Sequence, residues 1–338
     1  MATGEVGRKP GEMEMLLSPS RGVDDSDAAS LKSPAVQERF RKHIADKLGK
    51  LEAAFPEKLG DAARTAKRKE ELGIVLLDFR KLREGLTSIR RVDAFAAEVY
   101  EASVRTAIKA ENWQQLGACL PHLVLDIHPF LADPASPSQP SPSTSETSTT
   151  PLTDSLDSLS LSPSPSPSPS PSTSAPPLSL RLYFISLYLL HLLCHHPSTS
   201  LPTFHSTLSI FPSLPPAASP PSPGSPHIAL ARATYHALLT SNYVLFARLL
   251  RPPSTSSSPK ADGPDAYQLA ILRSAVPAMR EKAWLSLEKG YKMAGDFEDL
   301  AWLGRVLMFP PEEEEQLRTF LEKKGRKPPP PRVRSAWD

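Results

Sequence analysis

The chain has 338 residues and carries 39 Lys and Arg against 37 Asp and Glu, a formal net charge of +2. This balance gives no overall drive toward nucleic acid, anionic membranes or acidic substrates, so any such preference must come from local patches. Proline is in excess at 38 residues while glycine is scarce at 15, which excludes collagen-like and glycine-rich flexible chains.

Beyond a polar arm at 1–33, predicted to be disordered, four helices are predicted in the first third of the chain. Apolar residues recur at spacings of three and four over 35–53 and again over 62–86, and Phe55-Pro56 ends the first of these helices. A third helix is predicted to begin at Asp93 and to close at Glu111-Asn112, before a shorter one over 113–125. Since short connections favour antiparallel neighbours, 34–131 is predicted to form stacked helical hairpins.

The composition then changes abruptly to serine, proline and threonine over 132–177. This segment has too little apolar surface to offset the entropy of ordering and is predicted to be a disordered insertion. Its Ser-Pro repeat from Ser162 to Pro171 offers the dipeptide that proline-directed kinases accept, and each phosphate would add about −1.5 to −2 charges. A plain spacer is an equally good interpretation of the repeat.

Helical patterns return after the insertion, and no window alternates apolar and polar residues as a strand would. The helices are predicted at 178–196, 202–211, 227–240, 241–250, 265–275, 278–293, 297–308 and 311–324. The apolar run at 178–194 contains Arg181 and His191 and is short for a bilayer span, so we predict a buried helix and no membrane contact. At 311–324 the Pro310-Pro311 pair and the acidic residues behind it are typical of helix initiation. The predicted fold is all-α.

The sequence shows no signature of catalysis. It lacks a glycine-rich phosphate loop, a nucleophile elbow and a His-Glu-x-x-His pair, so we predict no catalytic residue and no cofactor. His191, Cys194, His195 and His196 could place soft ligands on neighbouring turns, but no second cluster completes a metal site, and a buried helix end is the preferred interpretation. The two cysteines are too few for a disulfide framework, and the chain does not open with the pattern of a secretory signal, so we expect a reducing compartment.

Two basic groups are candidate contacts for the phosphates of RNA or DNA, as secondary ligands. Solvated helix faces and a solvated, disordered tail at 326–338 are the commoner explanations for such runs. The candidate residues are Arg80, Lys81, Arg90 and Arg91 in the first group and Lys323, Lys324, Arg326 and Lys327 in the second.

Motifs in a fixed order along the chain suggest a family. The first motif runs through Thr87, Arg90, Phe95, Val99-Tyr100-Glu101, Arg105, Asn112 and Cys119. The second motif runs through Ala237, Ser241-Asn242-Tyr243, Phe246 and Arg248, and the third through Met279-Arg280, Ala283 and Leu287. The last motif runs through Leu300, Leu303, Leu307, Phe309, Phe320-Leu321 and Gly325. Together they resemble the SAC/GANP family, in particular its leukocyte-receptor-cluster-type branch. The family-motif core comprises Tyr100, Arg105, Asn242, Tyr243, Phe246 and Arg280.

This resemblance implies a PCI-type module, in which helical repeats (178–293) lead into a C-terminal winged helix (294–325). Such modules are non-enzymatic scaffolds of the nucleus, and also of the cytoplasm, that pair with another PCI-domain protein inside a multiprotein complex. The family couples transcription to mRNA maturation and export and uses winged helices as a nucleic-acid platform. Two departures bear on this prediction. Ser241 stands where the family has glycine. The prolines at 328–331 fall where the wing strands should follow, which predicts a truncated or missing wing.

A related family offers the alternative. The segment 187–193 with Phe204-His205 and Leu208, and the segment 288–291, also resemble a non-ATPase subunit of the proteasome regulatory lid, which shares the PCI architecture with signalosome and initiation-factor subunits. That resemblance implies a structural role in protein degradation without nucleic-acid contact.

Overall fold

The computed structural model describes residues 30–56, 62–132, 178–195, 200–210, 226–251, 263–290 and 299–326. Throughout these ranges the regular structure is helical, which confirms the all-α class. The predicted disorder of the arm, the Ser/Pro insertion and the tail falls, apart from a few flanking residues, outside the described residues, as do His196 and Lys327.

The N-terminal part contains five α-helices and one π-helical segment in its described residues. They are α1 (Pro34–Ala54), α2 (Ala62–Ser88), α3 (Ala94–Lys109), α4 (Trp113–Pro121), the π-helical segment (His122–Ile127) and α5 (His128–Ala132). The later helices are α6 (Leu178–His195), α7 (Ser200–Ile210), α8 (Pro226–Leu239), α9 (Tyr243–Leu249), α10 (Ala266–Ser274), α11 (Val276–Gly290), α12 (Leu300–Val306) and α13 (Glu314–Lys323).

Several helix ends lie where the sequence places them. The carboxylate of Asp93 accepts a hydrogen bond from the amide of Ala96 at 2.8 Å and begins α3. The α1 helix stops at Ala54, just before Phe55-Pro56. A 3-10 turn at Pro311–Glu313 leads into α13, whose first turn is acidic, as expected for favourable interaction with the helix dipole.

The sequence predicted a short helix over 113–125, and the predicted end of that helix is wrong. The helix continues to Ala132, but its bonding changes to the π pattern from His122 to Ile127. Pro121 explains the change, because it has no amide hydrogen for the α-helical ladder and its ring crowds the carbonyl four residues earlier. A π-helical stretch is a common way for a helix to absorb such a local defect without ending.

Two helical hairpins, α3–α4 and α8–α9, share one turn design. Glu111 and Ser241 each lie two residues beyond a helix with φ of 53° and 52°, and the next residue is an asparagine. Asn112 donates its amide to the carbonyl of Ala107, and Asn242 donates to that of Ala237, at 2.9 and 2.8 Å. Both are C-terminal caps of the Schellman type. The recurrence is what stacked helical repeats would produce.

The α6 helix is the centre of the larger core. Phe184, Leu187, Leu189 and Leu190 are fully buried, and the helix packs against α4, α7, α8 and α10. The apolar run at 178–194 is therefore a core helix, as predicted. Within the described part of the chain, no helix combines the length and apolarity needed to traverse a bilayer.

A second, smaller core joins α11 to the C-terminal helices. It comprises Ala283, Trp284, Leu287, Leu303, Leu307, Phe309, Leu317 and Leu321. Tyr243, at the start of α9, packs against both cores. The C-terminal helices are thus attached to the preceding helices through α9 and α11.

Candidate functional site

A cleft lies at the junction between α9–α11 and the C-terminal helices. Its volume is about 720 Å³, in the range typical of ligand pockets. The lining combines apolar residues with charged ones: Ala247, Leu250, Arg251, Arg273, Val276, Pro277, Arg280, Arg305, Met308, Phe309, Pro310, Pro311, Glu312 and Glu313.

Arginines dominate the charge of this junction cleft. Arg251, Arg273 and Arg305 are exposed, and none of the three is ion-paired to a carboxylate in the part of the chain that the structure describes. Two carboxylates, on Glu312 and Glu313, offset part of the charge. The cleft therefore presents positive charge around an apolar floor.

The fourth arginine of the cleft, Arg280, links two of the helices that form it. Its Nε donates to the carbonyl of Leu307 at 2.9 Å and its Nη2 to the carbonyl of Met308 at 3.1 Å. The guanidinium carbon lies 3.5 Å from the centre of the Phe309 ring, a stacked cation–π arrangement. Burial lowers the pKa of Arg280, and the charge of Glu313 opposes that effect. Arg280 thus caps α12 and ties it to α11.

Three of the other family-motif residues gather beside this junction on α9, where they have structural roles. Asn242 caps α9 by accepting the amide of Leu245 at 2.9 Å. Phe246 is fully buried, and Tyr243 packs on both cores. They position the helices that form the cleft.

The remaining two, Tyr100 and Arg105, lie on α3 in the first hairpin. The Tyr100 ring is buried, with its centre 5.0 Å from the ring of His122, and burial raises its pKa. Arg105 is ion-paired with Glu101 at 3.2 Å and lies over Phe184. The structure therefore does not bring all six family-motif residues into one site.

The predicted phosphate contacts do not form one surface. Arg80 is paired with Glu84 at 2.9 Å and Arg91 with Asp93 at 2.7 Å. Lys81 lies 3.8 Å from Asp78, and Lys324 lies 2.5 Å from Glu281. Arg90, Lys323 and Arg326 are exposed. The first group is on α2 and the turn behind it, which pack on α1 and α3, whereas the second is on and just beyond α13, which packs on α12.

Sequence reasoning missed Arg251, Arg273 and Arg305, which form the cationic rim of the junction cleft. They are separated by more than twenty residues along the chain, so no local charge run marks them. Only the packing of α9, α10 and α12 brings them together. Of the six family-motif core residues, Arg280 is the one that lines the cleft.

The His/Cys segment ends a core helix. His191 is buried, and its ring lies 4.9 Å from that of His195, which stacks on Trp113 at 4.4 Å. His195 Nε2 lies 3.0 Å from the hydroxyl of Ser274. Burial raises the pKa of Cys194 to about 12. Over the described ranges, no group of three or more His, Cys, Asp or Glu side chains is placed to hold a metal ion.

Comparison with known proteins gives no relative: no family model, curated protein or solved structure matches this sequence.

Proposed function

We propose that this chain is a non-enzymatic scaffold of the PCI type, a subunit of a nuclear complex that couples transcription to mRNA processing or export. The order of the family motifs supports the choice of complex. The fold supports the scaffold, because stacked helical hairpins present extended surfaces to protein partners. The absence of catalytic signatures from the sequence supports the non-enzymatic role.

The observation that carries the proposal is the junction cleft. Its rim arginines, Arg251, Arg273 and Arg305, surround apolar side chains such as Leu250 and Met308. Such a surface is complementary to a protein segment that alternates carboxylates with apolar residues. Arginine is also among the residues that contribute most to protein interfaces. An acidic segment of a partner subunit is therefore the proposed occupant, and RNA is a secondary ligand.

The test is purification of the tagged chain from its own cells at moderate salt, with identification of stoichiometric partners by mass spectrometry. We expect a second PCI-domain protein together with mRNA-processing or export factors. Recovery of proteasome lid subunits instead would overturn the mRNA role and establish the degradation alternative.

Charge reversal tests the cleft itself. The double variant Arg273→Glu/Arg305→Glu should lose the partners while keeping the helical circular dichroism of the wild type. The matched control Arg39→Glu/Arg64→Glu changes the same charge at exposed positions on α1 and α2 and should keep them. If both variants retain the partner proteins equally, the cleft is not the docking surface.

A further inference from the structure

A second cleft, independent of the scaffold proposal, lies where α2, α3 and α4 meet, and it is rich in hydrogen-bond donors. Its volume is about 660 Å³. The residues that line it are Lys32, Arg80, Arg83, Glu84, Thr87, Ser88, Tyr100, Gln114, Gln115 and Ala118. We call it the Arg83 cleft.

Arg83 is the unusual residue of this cleft. It is 7% exposed, so its guanidinium is almost withdrawn from water. Nη2 donates to Oε1 of Gln115 at 2.8 Å, and the guanidinium carbon lies 5.7 Å from the centre of the Tyr100 ring. The buried Nε has no hydrogen-bond partner among the described residues. The side-chain amide of Gln115 and the ring of Tyr100 are both uncharged, so they compensate the buried positive charge of Arg83 only in part.

No carboxylate of the described residues neutralises Arg83. The one acid in the lining, Glu84, is ion-paired with Arg80 at 2.9 Å. Burial of an unpaired charge is costly, and natural proteins offset the cost with a counter-ion or additional hydrogen bonds. The field of Arg83 acts on its surroundings, where it opposes the burial that raises the pKa of Tyr100 and Cys119.

The charges of the lining residues indicate that a ligand of this cleft would be an anion. Arg80 and Arg83 line the cleft beside a single carboxylate, Glu84, which pairs with Arg80, so the charge of Arg83 has no counter-charge among the described residues. A phosphoryl group carries about −1.5 to −2 charges at neutral pH. The planar fork of an arginine matches the oxygen geometry of a phosphate.

We propose that the Arg83 cleft binds a phosphoryl group, with the guanidinium of Arg83 as its central charge. The group would come from a small phosphorylated molecule or from a phosphorylated side chain of a peptide. The Ser-Pro repeat of this same chain supplies a convenient peptide probe for the second source.

The decisive variant is Gln115→Glu. A carboxylate at this position would take over the hydrogen bond to Arg83 and neutralise it internally, so the fold should be at least as stable as the wild type. Phosphoryl binding should fall by at least about tenfold, because a charge-assisted bond is replaced by repulsion. Gln316→Glu on α13 adds the same charge outside this cleft and should leave binding unchanged.

Binding is measured on the full chain by calorimetry and by thermal shift at matched ionic strength. The probes are inorganic phosphate, a phosphoserine peptide with the sequence of residues 160–173, and the unphosphorylated peptide. Tighter binding of the phosphopeptide than of phosphate would assign the peptide source, and equal binding would assign the small-molecule source. Absence of binding by both phosphorylated probes, unchanged binding in Gln115→Glu, or equal loss in Gln316→Glu would overturn the proposal.

Discussion

Four residues other than glycine adopt a left-handed backbone in the described part of the chain, each two residues beyond the end of a helix. They are Arg90, Glu111, Ser241 and Met308, with φ between 52° and 58°. For an L-residue this conformation costs about 1–2 kcal/mol, whereas glycine adopts it freely. These turns therefore fold in spite of their local sequence, through the caps and packing around them.

Replacement of Ser241 by glycine should therefore stabilise the fold. The relief of strain exceeds the extra backbone entropy of glycine, and we expect a gain of about 0.5–1 kcal/mol in the free energy of unfolding. Urea unfolding followed by circular dichroism measures it. The control Ser241→Ala keeps the steric cost and should give no gain. A destabilised Ser241→Gly variant would contradict this account of the turn.

Cys194 should make the protein sensitive to alkali. Burial raises the pKa of its thiol to about 12, well above its usual value of about 8.5. Between these pH values the unfolded state releases the proton while the folded state keeps it, so stability falls as pH rises and is unaffected below about pH 8. The slope is at most about 1.4 kcal/mol per pH unit for one group.

Urea titrations from pH 7 to 10 test this, with Cys194→Ala as the comparison. The variant should show a shallower loss of stability above pH 8.5. At pH 8 the native thiol should also react with iodoacetamide far more slowly than the urea-unfolded chain, because little of it is thiolate. Equal rates would show that the fold does not protect the thiol in solution.

At the scale of helices, the sequence predicted the all-α class and the positions of many helices, but it predicted the side-chain sites poorly. Periodicity and caps are local signals, so Asp93 marked the start of α3 and Glu111-Asn112 marked the turn before α4, and the structure confirms both. The burial of Arg83 and the capping of α12 by Arg280 depend on partners 32 and 27–28 residues away. Nothing in a helical pattern identifies such partners. The change to π bonding after Pro121 was missed because a proline predicts a disturbance without specifying its form.

Arg280→Lys should destabilise the C-terminal helices. Lysine keeps the charge but lacks the planar fork that donates to two carbonyls while stacking on Phe309. We expect a loss of about 1–3 kcal/mol, from charge-assisted hydrogen bonds and the cation–π contact. The fluorescence of Trp284 and Trp302 during urea unfolding reports on it. Arg273→Lys, at an exposed position of the same cleft, is the control and should change stability by less than about 0.5 kcal/mol.

At the scale of the whole molecule, the division into two cores predicts two levels of stability. Among the described residues, the smaller core contains eight buried side chains and is attached through α9 and α11, whereas the larger core extends from α1 to α11. Local stability follows the amount of buried apolar contact, so the C-terminal helices should open before the repeats.

Single-tryptophan variants can separate the two events. Trp113 packs against the larger core and Trp284 is buried in the smaller one, so each is retained alone while the other tryptophans become phenylalanine. The Trp284 signal should change at a lower urea concentration than that of Trp113, and circular dichroism should show most of the helix surviving the first event. The variant that retains only Trp113 carries Trp284→Phe, which weakens only the smaller core. Its Trp113 transition should therefore occur at the urea concentration at which circular dichroism shows the main loss of helix in the wild type. If the two transitions coincide, contacts such as those of Tyr243 make the two cores one cooperative unit. In that case the C-terminal helices could not rearrange on partner binding without unfolding the helices before them.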